Sequence, residues 1–233
     1  MIKENYESIE RRVCEACARA GRKRESVTVI GVSKLHPAEA IREAYKTTPL
    51  RAFGENYVQE FCAKRDALVD LDVEWHFIGH LQRNKVRALL AKRPTLIHTV
   101  DSIELTDTLE RIMSEDRPEE VQDVLIEVRH GDEDTAKTGC YPNQLEELSE
   151  HIARQRHLKL RGLMLIPPIE ADPAQTRHWF KDIFRFAAWM NDRNDMSVLS
   201  YGMSSDFEIA IEEGATHVRI GTAIFGERHV NES

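Results

Sequence analysis

The chain has 233 residues, 41% of them apolar, and its 40 acidic and 32 basic side chains leave a formal charge of −8. That acidic balance carries no charged tail and argues against the basic face of a nucleic-acid-binding protein. No apolar run approaches the ~20 residues needed to cross a bilayer. The charged opening MIKENYESIERRV is not a signal peptide, so a cytoplasmic protein is expected.

Residues 3–20 read as an amphipathic helix, with Ile9, Val13, Cys17 and Ala20 near helical spacing. Cys14 and Cys17 form a C-x-x-C inside it. With no strand before them and no second ligand pair, they read as ordinary helical cysteines rather than a redox or metal site. Eight strand-like runs then alternate with helical segments. The runs are VTVIGVS (27–33), RAFGE (51–55), EWHFIG (74–79), TLIHTV (95–100), DVLIEV (123–128), LKLRGLMLI (158–166), MSVLSYG (196–202) and THVRIG (216–221). Helices are expected over 37–46, 56–68, 83–92, 102–114, 142–155, 173–191 and 206–213. Pro37 and Pro142 stand at first-turn positions, Asp101-Ser102 and Asp206 at N-caps, and Gly214 at a C-cap. Such alternation implies parallel strands with right-handed crossovers. Eight units in a chain of this length predict one α/β domain over residues 1–233, a (β/α)8 TIM-type barrel preceded by an N-terminal helix.

In these barrels the chemistry gathers where the strands end. The first run, VTVIGVSKLHP, places Lys34 there, on the alternation of Thr28, Ile30 and Val32. Lys34 is either a snorkelling surface lysine or a desolvated amine able to form a Schiff base with a carbonyl. The eighth run ends in Gly221-Thr222, where another helical turn can follow. The seventh ends in SYGMSSDFE, with Ser200, Gly202, Ser204 and Ser205. Loops after strands seven and eight are the usual phosphate site of the fold, and small residues let backbone N–H groups approach an anion. With a strand-end lysine across from them, these turns predict a phosphorylated carbonyl ligand. Arg219 shares the alternation of Gly221 and is expected inside the barrel. There it would pair with a carboxylate or donate to a ring nitrogen, which against a pyridine would weaken the electron sink. Glu55, Asn56, His80, Gln82 and Asn84 follow other strand ends. His76 and His80 read as hydrogen-bonding pocket residues rather than a metal pair. Asp101-Ser102 and Lys137-Thr138-Gly139 sit at further rims.

Together the motifs GVSK (31–34), FGENYVQE (53–60), WHFIGHLQRNK (75–85), HTVDS (98–102), RGLMLIPP (161–168) and GMSSDFEIAIEEGATHVRIGTAIFG (202–226) run nearly end to end. In this the chain resembles the pyridoxal-phosphate homeostasis protein family, which has the alanine racemase N-terminal-domain fold. The resemblance implies pyridoxal 5′-phosphate held as an internal aldimine on Lys34, with Ser204, Gly221 and Thr222 on the phosphate and Arg219 facing the pyridine nitrogen. Asn56 and Ser200 would be further pocket members. It implies no metal and no catalytic residue. The role would be to bind and distribute the cofactor, balancing vitamin B6 and amino-acid pools without turnover. Two departures stand out. Leu35-His36-Pro37 replaces a common Thr-Lys-Pro, and His36 cannot form an imine to relay an aldehyde. Tyr201 replaces a common methionine and puts a bulkier residue near the expected cofactor.

Two other functions fit parts of the pattern. A racemase-like enzyme on the same cofactor would need a second acid–base group, which related two-domain racemases draw from a domain this chain, ending at Ser233, is not expected to carry. A cofactor-free Schiff-base aldolase is allowed by the phosphate turns alone but not by the full motif set. The expected partners are the cofactor and transient recipient enzymes, with no nucleic acid and no membrane. The absence of an exposed apolar stripe predicts a monomer.

Overall fold

A computed structural model describes residues 1–129, 138–167, 172–191 and 195–227. Eight parallel strands follow one another: β1 (Thr28–Val32), β2 (Ala52–Glu55), β3 (Glu74–Phe77), β4 (Leu96–Val100), β5 (Gln122–Val128), β6 (Leu158–Leu165), β7 (Val198–Ser200) and β8 (His217–Ile220). They pair in chain order and close when β8 meets β1. The helices are α1 (Ile2–Arg19), α2 (Ala38–Thr47), α3 (Val58–Ala67), α4 (Val86–Ala91), α5 (Ile103–Asp116), α6 (Leu145–Ala153), α7 (Pro173–Met190), α8 (Phe207–Glu212) and α9 (Thr222–Phe225). The (β/α)8 barrel and its leading helix thus form as the periodicity predicts.

The differences lie at helix starts. The segments expected from 83 and from 142 each begin as a 3-10 turn, Arg83–Lys85 and Pro142–Gln144, before α4 and α6. Pro37 is the N-cap of α2 rather than its first residue. Ser102 caps α5 by accepting from Leu105 N. Asp206 precedes α8, but its carboxylate turns back to Met203 N at 2.5 Å instead of capping the helix. Gly214 ends α8 with φ +98°, as its position suggests.

Register decides which side chains enter the barrel, because partners on adjacent parallel strands share a face. Ile30 stands beside Ala52 and Arg219, Gly54 beside His76, and His76 beside Leu96. Glu127 stands beside Met164, Met164 beside Ser200, and Ser200 beside His217. These residues face inward. The alternate positions, among them Val29, Phe53, Trp75, Phe77, Ile97, Ile126 and Val218, pack against the helices in one large apolar core. Inside the barrel, Leu96, Leu125 and Met164 form a small apolar plug. The next inward positions beyond Leu96 and Leu125 toward the strand C-termini are polar, His98 and Glu127.

The N-terminal helix α1 packs on α8 and α9. Arg12–Glu208 and Arg19–Glu212 ion pairs, each 2.7 Å, and an Asn5 Nδ2 bond to Ile224 O at 3.0 Å fix it there. All four cysteines are free thiols; Cys14 is exposed and Cys17 buried within α1. Among the described residues no three metal-ligating side chains cluster, and no helix is long and apolar enough to cross a membrane.

Candidate functional site

Beyond β1 the chain turns sharply, with His36 N bonded to Ser33 O at 3.0 Å. Lys34 is half-buried in this turn, two residues beyond inward-facing Val32. Barrel closure sets the end of β8 beside it rather than across from it. Gly221 follows β8, and a Cβ there would come within 3.3 Å of Val32 O, so glycine allows the two strand ends to approach closely. Gly221 O accepts from Ile224 N and Phe225 N at 2.8 and 3.0 Å, which starts the short helix α9. The N–H groups of Thr222 and Ala223 then have no acceptor within the helix. Thr222 is exposed.

The turn after β7 is built on Gly202, whose φ of +95° and 2.5 Å clearance to Ala210 Cβ exclude a side chain. Met203 O accepts from both Asp206 N and Phe207 N, leaving Ser204 half-buried and Ser205 exposed at the top of the turn. Arg219 N bonds to Gly202 O at 2.9 Å and joins this turn to β8. Lys34, Ser204, Gly221 and Thr222 therefore stand at the ends of three adjacent strands.

Arg219 lies inside the barrel, 4% exposed, as its alternation predicts. Of the two expected partners, a carboxylate is not the one it has: no carboxylate forms an ion pair with it among the described residues. Its Nη1 donates to Ser200 O at 2.6 Å and Ser200 Oγ at 2.8 Å, and Nη2 donates to Leu165 O at 2.9 Å. Burial pulls its pKa down to about 10, against the nearby charges of Asp206 and Glu127, so it stays a cation at neutral pH.

Ser200 is fully buried and links Arg219 to a chain of histidines. Its Oγ lies 2.9 Å from His98 Nδ1, and His98 Nε2 lies 2.9 Å from His76 Nδ1. Arginine can only donate. Ser200 can therefore pass its own hydrogen to His98 Nδ1, leaving His98 Nε2–H to donate to His76. His76 Nε2 is buried without a partner among the described residues. Burial, with the positive field of neighbouring His217, lowers the His76 pKa to about 3. Burial also holds His98 well below 6.5 and His217 at about 4, the latter assisted by Arg219. These imidazoles are neutral. His80 is exposed on the loop beyond β3, so His76 and His80 do not meet.

Asn56 follows β2, the strand paired with β1. Asn56 is half-buried, lines a cleft of about 310 Å³ with Tyr57, Gly79, His80 and Lys85, and its Oδ1 has no partner among the described residues. Tyr201 does not face the mouth. Its ring stacks on Phe180 of α7 at 4.7 Å and its hydroxyl donates to Glu213 O at 2.8 Å, which corrects its expected place near a cofactor. Thr138 donates to Glu127 Oε1 at 3.0 Å, while Lys137 lies outside the described residues. Glu127 itself faces inward near the mouth, and burial pushes its carboxyl up to about 7. Neither His98 nor Glu127 was singled out by sequence, although each follows an inward apolar residue, Leu96 or Leu125, by two positions.

Residues 4–229 match the family model described as alanine racemase, N-terminal domain. The chain is 45% identical over 227 residues to a pyridoxal phosphate homeostasis protein of Aquifex aeolicus, covering 97% of each chain. Among solved structures, PipY of Synechococcus elongatus matches without PLP at a TM-score of 0.84 and 38% identity. With PLP bound it matches at 0.83 and 36%, and both comparisons cover 97% of this chain and all of PipY. The alanine racemase of Corynebacterium glutamicum shares the fold at a TM-score of 0.71 and 17% identity, and this chain spans 62% of its length. Matched nearly end to end by the family model and by its relatives, the chain belongs to the pyridoxal phosphate homeostasis protein family, built on the alanine racemase N-terminal-domain fold.

Proposed function

We propose that this protein holds pyridoxal 5′-phosphate covalently on Lys34 and serves vitamin B6 and amino-acid homeostasis as a carrier without turnover. The observation that carries this reading is the meeting of the β7, β8 and β1 ends. It gathers one amine, two small-residue turns and the cation Arg219. This donor set suits a dianionic phosphate on an aromatic aldehyde. Ser204 and the Gly221–Thr222 turn would hold the phosphate, Ser204 and Thr222 through their hydroxyls and the turn through backbone N–H groups that glycine lets approach an anion. The cofactor supplies an aldehyde carbon that an unprotonated amine can attach with loss of one water.

Arg219 is held by fixed oxygens and can only donate, so it would keep a facing ring nitrogen unprotonated. That limits electron withdrawal and favours storage over carbanion chemistry. PipY, at 36% identity, has been seen with PLP bound, which favours this reading over a cofactor-free aldolase. The same reading makes residues 1–233 one cofactor-binding domain and the protein a cytoplasmic monomer whose partners are the cofactor and the enzymes receiving it.

The purified protein should be yellow, with an absorption band that borohydride bleaches and that Lys34→Ala abolishes. A colourless protein that takes up no pyridoxal phosphate overturns the reading. Sustained racemisation of any amino acid by the loaded protein overturns the carrier role alone.

A further inference from the structure

Behind the Lys34 turn, on the helix side of the sheet, lies a charged cluster that the cofactor reading leaves unused. Ser33 and Glu55 alternate with inward-facing Val32 and Gly54 and so project toward α3. There Lys64, 6% exposed, donates at 2.8 Å to each of Ser33 O, Glu55 Oε1 and Glu60 Oε2. Ser33 Oγ donates to the same Glu55 oxygen at 2.6 Å, and Leu35 N donates to Glu60 Oε2 at 2.9 Å. Both neighbours of Lys34 are thus bonded into one cluster centred on an ammonium group.

Leu35 needs this support, because its φ of +62° lies in the left-handed region. That region is sterically disfavoured for a residue carrying a Cβ. The post that holds it is itself fixed. Phe61 of α3 is fully buried, with edge contacts to Trp75 at 5.6 Å and Phe77 at 6.2 Å. Glu55 is wholly buried and its second oxygen has no partner among the described residues. Burying such charges seldom stabilises a fold more than apolar residues of the same shape would. What the cluster adds is a defined geometry.

We propose that Lys64, acting with Glu55 and Glu60, is a positioning residue for Lys34: it fixes the backbone on both sides of the turn and so presents the amine to the mouth in one orientation. The proposal rests on Lys34 being the attachment point. It implies that the cluster governs formation of the C=N link and not the affinity of the phosphate turns, which lie on other strands.

The test uses the full chain carrying Lys64→Met, and two ligands. Titration with pyridoxal 5′-phosphate, followed by its absorption, should show the covalent link weakened ~10-fold or more. Pyridoxine 5′-phosphate has an alcohol in place of the aldehyde, and its affinity should stay within about twofold. Before ligand is added, the Leu35 amide should exchange hydrogen ~10-fold faster than in the parent. Equal loss for both ligands would mean a merely structural role, and an unchanged link with an unchanged Leu35 amide would also overturn the proposal. Should Lys64→Met not fold, Glu60→Gln, at a side chain 26% exposed, removes the charge anchoring Leu35 and is read against the same outcomes. Failure of the underlying reading looks different: Lys34→Ala would then keep the absorption band.

Discussion

Acid should unfold this protein from inside its barrel. His76 and His217 titrate at about 3 and about 4 in the fold, and His98 well below its ordinary value, mainly because they are buried. An unfolded histidine titrates near 6.5, so as the pH falls the unfolded state takes up protons first. Their contribution is whole above about pH 6.5 and is lost steadily below it. Each group costs ~1.4 kcal/mol per pH unit, so His76 and His217 together cost ~4 kcal/mol by pH 5, and His98 adds to the loss in the same direction. Glu127 acts in the opposite sense. Its folded carboxyl titrates at about 7, above the ordinary 4.5, so protonation between those values restores stability. That returns ~2 kcal/mol by pH 5. The net loss is ~2 kcal/mol before the share of His98 is added, a substantial part of the 5–15 kcal/mol typical of a folded domain.

Urea unfolding at about pH 7.5, 6 and 5 measures this directly, since the slope of stability against pH counts the excess protons bound on unfolding. At least about one proton is expected between pH 6 and 5 from His76, His217 and Glu127, and His98 raises that number. His76→Asn keeps an oxygen that can accept from His98 Nε2–H. It should be less stable at neutral pH but should lower that slope by about one proton. A slope below one proton, or a wild-type slope in His76→Asn, would refute the neutral-imidazole chain.

Three substitutions test the mouth. Tyr201→Phe removes the hydroxyl bond to Glu213 O and should cost ~1 kcal/mol in denaturant unfolding. Cofactor affinity should not move, and a loss would place Tyr201 in the site after all. Gly221→Ala puts a Cβ 3.3 Å from Val32 O, where the strand ends meet. Pyridoxal phosphate titration should show a loss of ~10-fold or more with little change in Tm. Arg219→Met exchanges three bonds to neutral oxygens for relief from desolvation, so stability should stay within ~1–2 kcal/mol of the parent. Cofactor affinity, read by the same titration, should fall.

What the sequence discloses depends on how far apart the interacting residues lie along it. Arg219 was readable as an inward residue because it sits two positions from Gly221, and strand alternation is local. The same rule turns Tyr201 outward, one residue after inward Ser200, and there it overrides any inference drawn from its neighbours in a motif. The His98–Ser200 bond spans 102 residues and depends on which strands face each other across a closed barrel, which no local pattern encodes. Lys64 illustrates the middle case. Its spacing from Glu60 is an ordinary i,i+4 helix pair, of the kind usually exposed and worth little. Only the packing of α3 against the end of β1 turns it into a buried bridge to Ser33, 31 residues away.

Two buried cations bracket the end of β1, and their surroundings assign them different work. Lys64 is met by two carboxylates, so it adds almost no field at the mouth, and what it leaves behind is a rigid turn. Arg219 is met by two carbonyls and a hydroxyl, so its charge is oriented but not cancelled. Two acids stand near it without bonding to it, Asp206 and Glu127; burial raises both carboxyls, that of Glu127 to about 7, so Glu127 carries only part of its charge at neutral pH. A chain with a formal charge of −8 repels a phosphate ester at long range. A local positive potential is therefore needed where such a ligand is to settle, and neutralising Arg219 with a carboxylate would abolish it. On this argument the mouth would separate its tasks: a guanidinium bonded only to neutral oxygens on the inner face would attract and orient the ligand, and an ammonium bonded to carboxylates on the outer face would hold the attaching amine in place.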